Sequence, residues 1–237
     1  MVIMPAEYRS RVTGKSRKSN FSVCLHEAPA DNAGMDWNAL QTDQMREALA
    51  RFDPAETANR EGGAGAACGF REAGVLAPLL REAGEWKLLF IRRSVYEGDR
   101  HSGQVAFAGG KQEPGDRDIR ATALREAEEE LGIQPQQLEL LGSLPAWYSS
   151  TGYCITAQVA RLQWPCELCL QAREVDRVFA IPLSWLADRN HFQAMPYRRE
   201  NGRVVQVVRY RPWQDEILWG ATAGMVRMLI QAFSTTG

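Results

Sequence analysis

Apolar residues along the 237-residue chain fall into short runs with two different periods. Alternating or continuous apolar runs bounded by glycine, proline and polar residues predict β-strands. Such runs occur at residues 74–80, 86–92, 104–108, 138–144, 154–162, 178–181 and 204–211. Helical spacing of apolar residues instead marks residues 117–131 and 221–233. Strands interspersed with two main helices predict an α/β fold with helices layered on a mixed β-sheet.

The N-terminal part of the chain has a different pattern. Residues 1–36 are polar, serine-rich and aperiodic, so we expect a disordered tail. Residues 37–52 carry apolar side chains at near-helical spacing, which predicts an amphipathic helix that packs on the main domain or on a partner subunit. Pro54 should end this helix, and the glycine-rich stretch 62–65 should form a flexible link. We therefore divide the chain into 1–36, 37–70 and a main domain at 71–237.

Composition and charge narrow the class of protein. The formal net charge of −1 provides no global basic field for binding nucleic acid or an anionic membrane. No apolar run approaches the roughly 20 residues that a membrane-spanning helix needs. Five cysteines without disulfide spacing fit a reducing compartment, so we expect a cytoplasmic protein. Organelle targeting by the basic N-terminal tail is the alternative.

The predicted helix 117–131 crowds three carboxylates. Glu126, Glu129 and Glu130 fall within roughly 100° of the helix circumference. Like charges ~4 Å apart repel by ~4 kcal/mol at an effective dielectric of 20, and a divalent cation between them removes that cost. A solvated acidic face neutralised by Arg120 and Arg125 is the alternative reading of the helix alone. The apolar stripe predicted to be buried lies on a different side: Leu124, Ala127 and Leu131.

A glycine-rich loop precedes this helix. Gly109 and Gly110 open the loop, and Asp116 stands where an N-cap would favour the positive helix end. Mg²⁺ prefers oxygen and commonly binds one or two carboxylates together with substrate phosphates and water. The loop, the capped helix and the glutamates together predict a site for Mg²⁺ and phosphate.

This stretch resembles the Nudix box, G-x5-E-x7-R-E-U-x-E-E-x-G-U, in which U is aliphatic. The matching residues are Gly110, Arg125, Glu126, Glu129, Glu130, Gly132 and Ile133. The spacer before Arg125 is one residue longer than usual, Asp116 stands where glutamate is usual, and Ala127 holds the first aliphatic position. These departures, with LLFIRRS at 88–94 and HSGQVAFAGG at 101–110, resemble the coenzyme A pyrophosphatase branch of the Nudix hydrolases. The resemblance spans roughly residues 72–233.

The resemblance implies a Nudix-type α/β/α sandwich with the box as a loop–helix–loop. It also implies a Mg²⁺-dependent pyrophosphohydrolase, with Mn²⁺ as another metal. Such an enzyme would cleave the diphosphate of coenzyme A or its derivatives to 3′,5′-ADP and 4′-phosphopantetheine or its acyl form. The expected partner is therefore a small-molecule nucleotide diphosphate, with no nucleic acid and no membrane, and a homodimer is left open.

Each residue of the box then has an expected role. Glu126 and Glu130, one turn apart, should bind a common Mg²⁺, and Glu129 should bind a second metal or act as general base. The resemblance suggests the Gly110 carbonyl as a further metal ligand. We expect Arg125 to point partly away from Glu126 and to clamp Glu129 or the loop. The residues expected to contact the substrate are Arg93, Arg100, His101 and Gly109. Glu174 could support this chemistry from the opposite loop.

Two other functions remain open. The same chemistry could serve another nucleoside diphosphate derivative, such as NADH, ADP-ribose, a dinucleoside polyphosphate or an oxidised nucleotide. A non-catalytic nucleotide-binding module is a function of a different class. A module of that class should have lost its metal carboxylates, whereas Glu126, Glu129 and Glu130 are all present.

Overall fold

An eight-stranded mixed sheet forms the centre of the structure, a computed structural model that describes residues 35–52, 69–96, 101–198, 202 and 204–234. Its strands are β1 (Arg71–Glu82), β2 (Glu85–Arg93), β3 (Val105–Ala106), β4 (Ala108–Lys111), β5 (Leu138–Ser143), β6 (Trp147–Tyr148), β7 (Tyr153–Leu162) and β8 (Val175–Pro182). The main path runs β3-β2-β1-β7-β5, while β4 pairs with β1, β6 with β7 and β8 with β2. The β1–β7 pair is parallel and the other pairs of this sheet are antiparallel, so the predicted mixed sheet is confirmed.

Helices cover both faces of this sheet. The helices are α1 (Thr42–Arg51), α2 (Ile119–Leu131), α3 (Leu183–Ala187) and α4 (Gly220–Ser234), with 3₁₀ turns at Trp37–Ala39, Pro135–Gln137 and Arg189–His191. Helix α2 packs on one face through Ala127 and Leu131, whereas α1, α3 and α4 share the core on the other face. This layering confirms the predicted α/β/α sandwich.

Helix α2 lies unusually close to the sheet because small residues face each other. A Cβ placed on Gly74 of β1 would lie 2.5 Å from the Ile119 carbonyl oxygen, so only glycine allows this approach. Ala123 and Ala127 are fully buried on the facing side of the helix. The predicted stripe is wrong at Leu124, which is only partly buried, because the helix turns Ala123 toward the sheet instead.

The predicted helix at 37–52 is part of the same core. It is broken into the turn Trp37–Ala39 and α1, whose residue Met45 is fully buried. The Trp86 indole N–H donates to the Leu40 carbonyl at 2.9 Å, which ties this segment to β2. The segment therefore packs on the main fold, while the boundary at residue 71 stays a prediction. The tail at 1–34, Pro54 and the link at 62–65 lie outside the described residues.

Each predicted strand overlaps an observed one, but some elements differ. The single strand predicted at 104–108 is divided at Phe107, because β3 pairs with β2 whereas β4 pairs with β1. Sequence periodicity missed α3 and the strand β9 (Phe192–Arg198), which forms a separate two-stranded sheet with β10 (Val204–Tyr210). Across the parts of the chain that the structure describes, no helix has the length and apolar character needed to cross a bilayer.

Candidate active site

The loop before α2 enters the helix through an aspartate, but not the predicted one. Asp118 is the N-cap, and its carboxylate accepts a hydrogen bond from the Ala121 N–H at 2.8 Å. The prediction that Asp116 caps the helix is therefore wrong. Asp116 lies two residues earlier and its carboxylate is occupied by an arginine.

Asp116 and Arg125 form a bidentate ion pair that links the loop to the helix. The Arg125 Nε lies 2.9 Å from Asp116 Oδ1, and its Nη2 lies 3.1 Å from Oδ2. The Thr122 hydroxyl and the Glu113 N–H also donate to Asp116, both at 2.9 Å. The Arg125 guanidinium holds the pKa of Asp116 well below its usual range, and Asp116 in turn raises the pKa of Arg125.

Arg125 also gathers two glutamates of α2. Its Nη1 lies 2.9 Å from Glu129 Oε2 and 3.0 Å from Glu126 Oε1, and its Nη2 lies 3.4 Å from the Lys111 carbonyl. The contact with Glu129 and the loop matches the predicted clamp. The expectation that Arg125 points partly away from Glu126 is wrong, because its Nη1 contacts both carboxylates.

Glu126 packs directly against the glycine loop. A Cβ on Gly110 would lie 2.7 Å from the Glu126 Cδ, so the absence of a side chain makes room for this carboxylate. The side chain of Glu126 is only 13% exposed. Burial raises the pKa of Glu126, Arg125 opposes that rise, and the charges of Glu129 and Glu174 add to it.

Glu130 is the most deeply placed carboxylate of the three. It is 2% exposed, and its Oε2 accepts a hydrogen bond from the Gly109 N–H at 3.2 Å. Burial raises the pKa of Glu130 to about 8, and the Glu174 and Glu126 charges contribute to the increase. The Gly109 hydrogen bond and the Arg93 charge act in the opposite direction. The structure therefore brings Arg93, Gly109 and Glu174 near this carboxylate, while their expected roles toward substrate and metal stay predictions.

The glutamates do not form a ready-made metal cage. Over the described ranges, no group of three or more His, Cys, Asp or Glu side chains is placed to hold a metal ion. Glu129 is 58% exposed and turned to Arg125, so the solvated-face reading fits Glu129 but not the buried Glu130. Glu126 and Glu130 nevertheless fit Mg²⁺. Burial disfavours their ionised forms, and a bound cation would offset that cost. Mg²⁺ needs only one or two carboxylates beside phosphate and water.

A second wall of the site comes from the end of β2. The Arg93 N–H donates to the Gln104 carbonyl at 3.0 Å, and the Ser94 N–H donates to the Glu174 carbonyl at 2.9 Å. The His101 Nδ1 lies 3.1 Å from the Gln104 Oε1. The stretch 101–110 thus runs from the end of β2 to Gly109 beside Glu130. Arg100 lies outside the described residues.

The main feature that sequence reasoning missed is the role of Asp116 as the anchor of Arg125. The signal was present, because Asp116 stands where the Nudix box carries a glutamate. A helix cap would pair Asp116 with the first turn of α2, whereas Asp116 instead binds Arg125, nine residues away.

A family model described as the NUDIX domain matches residues 70–179. Among solved structures, a MutT/nudix family protein from Enterococcus faecalis aligns with a TM-score of 0.43 at 15% identity, covering 82% of this chain and 73% of that chain.

Two relatives each align with about two thirds of the chain. A protein of Photorhabdus laumondii named uncharacterized Nudix hydrolase NudL is 38% identical over 164 residues, which is 68% of this chain and 84% of that protein. The protein of the same name from Escherichia coli O7:K1 is 36% identical over 160 residues, covering 67% of this chain and 81% of its own length. The chain therefore belongs to the Nudix hydrolase family, whose members hydrolyse phosphorus-containing acid anhydrides of nucleoside diphosphate derivatives and generally use divalent metal ions.

Proposed function

We propose that this enzyme hydrolyses the diphosphate of coenzyme A or its derivatives to 3′,5′-ADP and 4′-phosphopantetheine or its acyl form. One observation carries the proposal: the stretch 101–110, whose sequence resembles the coenzyme A pyrophosphatase branch, ends against the buried carboxylates. Its Gly109 N–H donates to Glu130, and its Gly110 packs on Glu126. Because the stretch 101–110 resembles this branch and contacts the predicted metal ligands, it is placed to contact the part of the substrate that distinguishes coenzyme A from other diphosphates.

Glu126 and Glu130 would hold Mg²⁺ or Mn²⁺ in this proposal, with the Gly110 carbonyl as a further oxygen ligand. A bound divalent cation polarises phosphoryl oxygens and lowers the pKa of water that it binds. Burial prepares both glutamates for this role, since the low-dielectric surroundings that penalise a lone carboxylate also strengthen its attraction to a cation. The two side chains come from one rigid helix, so their spacing is set before any ligand arrives.

In this proposal Glu129 takes part in proton transfer, and Arg125 positions the glutamates. Glu129 is exposed and ion-paired with Arg125, so it can accept a proton from an attacking water or bind a second metal. Arg125, anchored by Asp116, keeps Glu126 and Glu129 in place and acts with them as a catalytic unit.

The second wall contacts the substrate in this proposal. Arg93 would donate to a phosphate oxygen, as a guanidinium does well. His101 and Arg100 would contact the part of the substrate that projects along the stretch 101–110. Gly109 would keep side chains clear of the diphosphate.

The test is a substrate panel with the purified full-length protein. Coenzyme A, NADH, ADP-ribose, a dinucleoside polyphosphate and an oxidised nucleotide are incubated at equal concentration with Mg²⁺, with Mn²⁺ or with a chelator, and products are separated by chromatography. The proposal expects the highest kcat/KM with coenzyme A, and 3′,5′-ADP and 4′-phosphopantetheine as products. Glu130→Gln should lose activity by about 10³-fold, the scale of losing one preorganised electrostatic group, while keeping its circular dichroism spectrum.

A second candidate function has one observation in its favour. Ala108 stands where the branch usually carries proline, and it is buried at the start of β4 directly before the glycines. Faster hydrolysis of another member of the panel, beside absent turnover of coenzyme A, would reject the branch assignment and support this candidate. Wild-type rates in Glu130→Gln would instead reject the assignment of the ligands.

A further inference from the structure

A buried carboxylate far from α2 in sequence holds the strand that ends in Arg93. The side chain of Glu216 is 5% exposed, and its Oε1 lies 3.0 Å from the Arg92 Nη1. The Arg177 guanidinium contacts the same oxygen, and the Asp176 carboxylate lies 3.7 Å from the Arg92 Nε. Since Arg92 belongs to β2 and Arg177 to β8, Glu216 fastens these two paired strands together at one point.

A two-residue turn brings Glu216 to this point. Trp213 and Glu216 exchange backbone hydrogen bonds of 2.8 and 2.9 Å across the turn. The two residues between them, Gln214 and Asp215, have φ values of +47° and +70°. Non-glycine residues rarely adopt this left-handed region, and such backbone tends to persist where the surrounding structure demands it. The backbone is thus held in a costly conformation that places Glu216 against Arg92.

The β2–β8 ladder has a bulge at the same point. Arg92 pairs with Arg177, but the next residue, Arg93, pairs with Val175, so Asp176 is skipped. The extra residue lies on β8, and Arg92 and Arg93 point to opposite faces of the sheet, as successive strand residues do. Arg92 meets Glu216, whereas Arg93 pairs with Val175, which packs in the cluster with Leu131 at the end of α2. Bulges of this kind re-aim side chains and are frequent beside active sites.

The end of β2 also contacts the stretch that carries His101. A Cβ on Gly103 would lie 4.0 Å from the Arg92 Nη2, so the arginine that Glu216 holds lies close to this stretch. One residue later, the Arg93 N–H donates to the Gln104 carbonyl at 3.0 Å. Displacing Arg92 should therefore move Arg93, the next residue of β2, away from its place beside Gln104.

We propose that Glu216 is a positioning residue of the active site, which holds Arg92 and thereby fixes the end of β2 from which Arg93 reaches the substrate diphosphate. This inference rests on the proposed function to the extent that Arg93 contacts a phosphate. The turn before α4 would then act on the active site, because Glu216 lies on one face of the sheet and Arg93 acts on the other.

A double-mutant cycle between Glu216→Gln and Arg93→Ala tests the proposal. Glu216→Gln should lower kcat/KM by about 10- to 100-fold, the scale expected when a substrate-positioning group is displaced. Arg93→Ala should cause a loss of similar size. Because both variants remove the same interaction with substrate, the double variant should be no worse than Arg93→Ala alone.

Glu139→Gln is the control for removing a carboxylate that binds two arginines. Glu139 also binds two arginines, Arg46 at 2.7 Å and Arg161 at 3.4 Å, but it lies on β5 at the opposite end of the strand order from β2. Its removal should leave kcat/KM unchanged. If Glu216→Gln does not fold, Arg92→Met replaces it, because that change breaks the link to β2 and leaves Glu216 paired with Arg177.

Losses that multiply in the double variant would overturn the proposal, since they would show that Glu216 stabilises the fold without acting through Arg93. The cycle is run with the panel member that the wild type hydrolyses fastest. A substrate other than coenzyme A therefore rejects the proposed function and still decides the role of Glu216. A crystal structure of Glu216→Gln tests the inference without any substrate. If Arg93 occupies the same position near Glu130 as in the wild type, the inference is wrong.

Discussion

Replacing Glu130 by glutamine should remove a pH dependence from the stability of the metal-free protein. Burial raises the pKa of Glu130 from the ordinary 4.5 to about 8 in the folded state. Below pH 4.5 the carboxyl is protonated whether the chain is folded or not. Between pH 4.5 and 8 the unfolded chain releases this proton and the folded protein keeps it, so the free energy of unfolding falls as the pH rises.

The expected size follows from the same two pKa values. One proton retained by the folded state corresponds to about 1.4 kcal/mol for each pH unit, so the whole window corresponds to a loss on the order of 5 kcal/mol. Native domains are stable by about 5 to 15 kcal/mol, so this loss is a large part of the margin. Glutamine has nearly the same shape and can still accept the Gly109 hydrogen bond, but it does not ionise.

Chemical denaturation between pH 5 and 9 in the presence of a chelator measures the effect. The wild type should lose stability across this range, whereas Glu130→Gln should match it at pH 5 and exceed it at pH 8.5. Glu126 also has a raised pKa, and its charge acts on Glu130, so the difference between the two curves measures Glu130 together with this coupling. Glu128→Gln, an exposed position on the same helix, should follow the wild type.

Mg²⁺ extends this test to the proposed ligand. At pH 8 the cation should restore stability to the wild type, because it binds the folded protein with Glu130 ionised, and it should do much less for Glu130→Gln. Parallel stability curves for the wild type and Glu130→Gln, with and without the metal, would refute the reasoning about this buried carboxylate.

Two further predictions concern the loop before α2. Gly110→Ala should abolish metal-dependent hydrolysis with little change in melting temperature, because a Cβ would displace the Glu126 carboxylate. Gly115→Ala, whose Cβ would meet nothing within 4 Å, is the control, and equal activity of the two variants would count against this geometry. Asp116→Asn should lower both kcat/KM and the melting temperature measured by circular dichroism, since Arg125 loses its bidentate partner. An unchanged kcat/KM would show that this anchor is dispensable.

The elements that sequence periodicity placed well are those with a strong local pattern. Helix α2 was expected at 117–131 and runs over Ile119–Leu131, and every predicted strand overlaps an observed one. The predicted N-cap of α2 is wrong because Asp116 and Asp118 both have the side chain that favours an N-cap position. The choice was made by Arg125, which binds Asp116 across the loop and leaves Asp118 to cap the helix. Local rules cannot resolve two candidates that differ only in a distant partner.

The sequence by itself determined that Glu126 and Glu130 lie one helical turn apart beside a glycine loop, because helical spacing is a local property of the backbone. Only the tertiary structure decided that Glu130 is 2% exposed whereas its neighbour Glu129 is 58% exposed, since burial depends on which side of α2 meets the sheet. It also brought Glu216 to Arg92, 124 residues away in the chain. Solvent exclusion and long-range ion pairs arise from packing between distant segments, so local sequence patterns do not predict them.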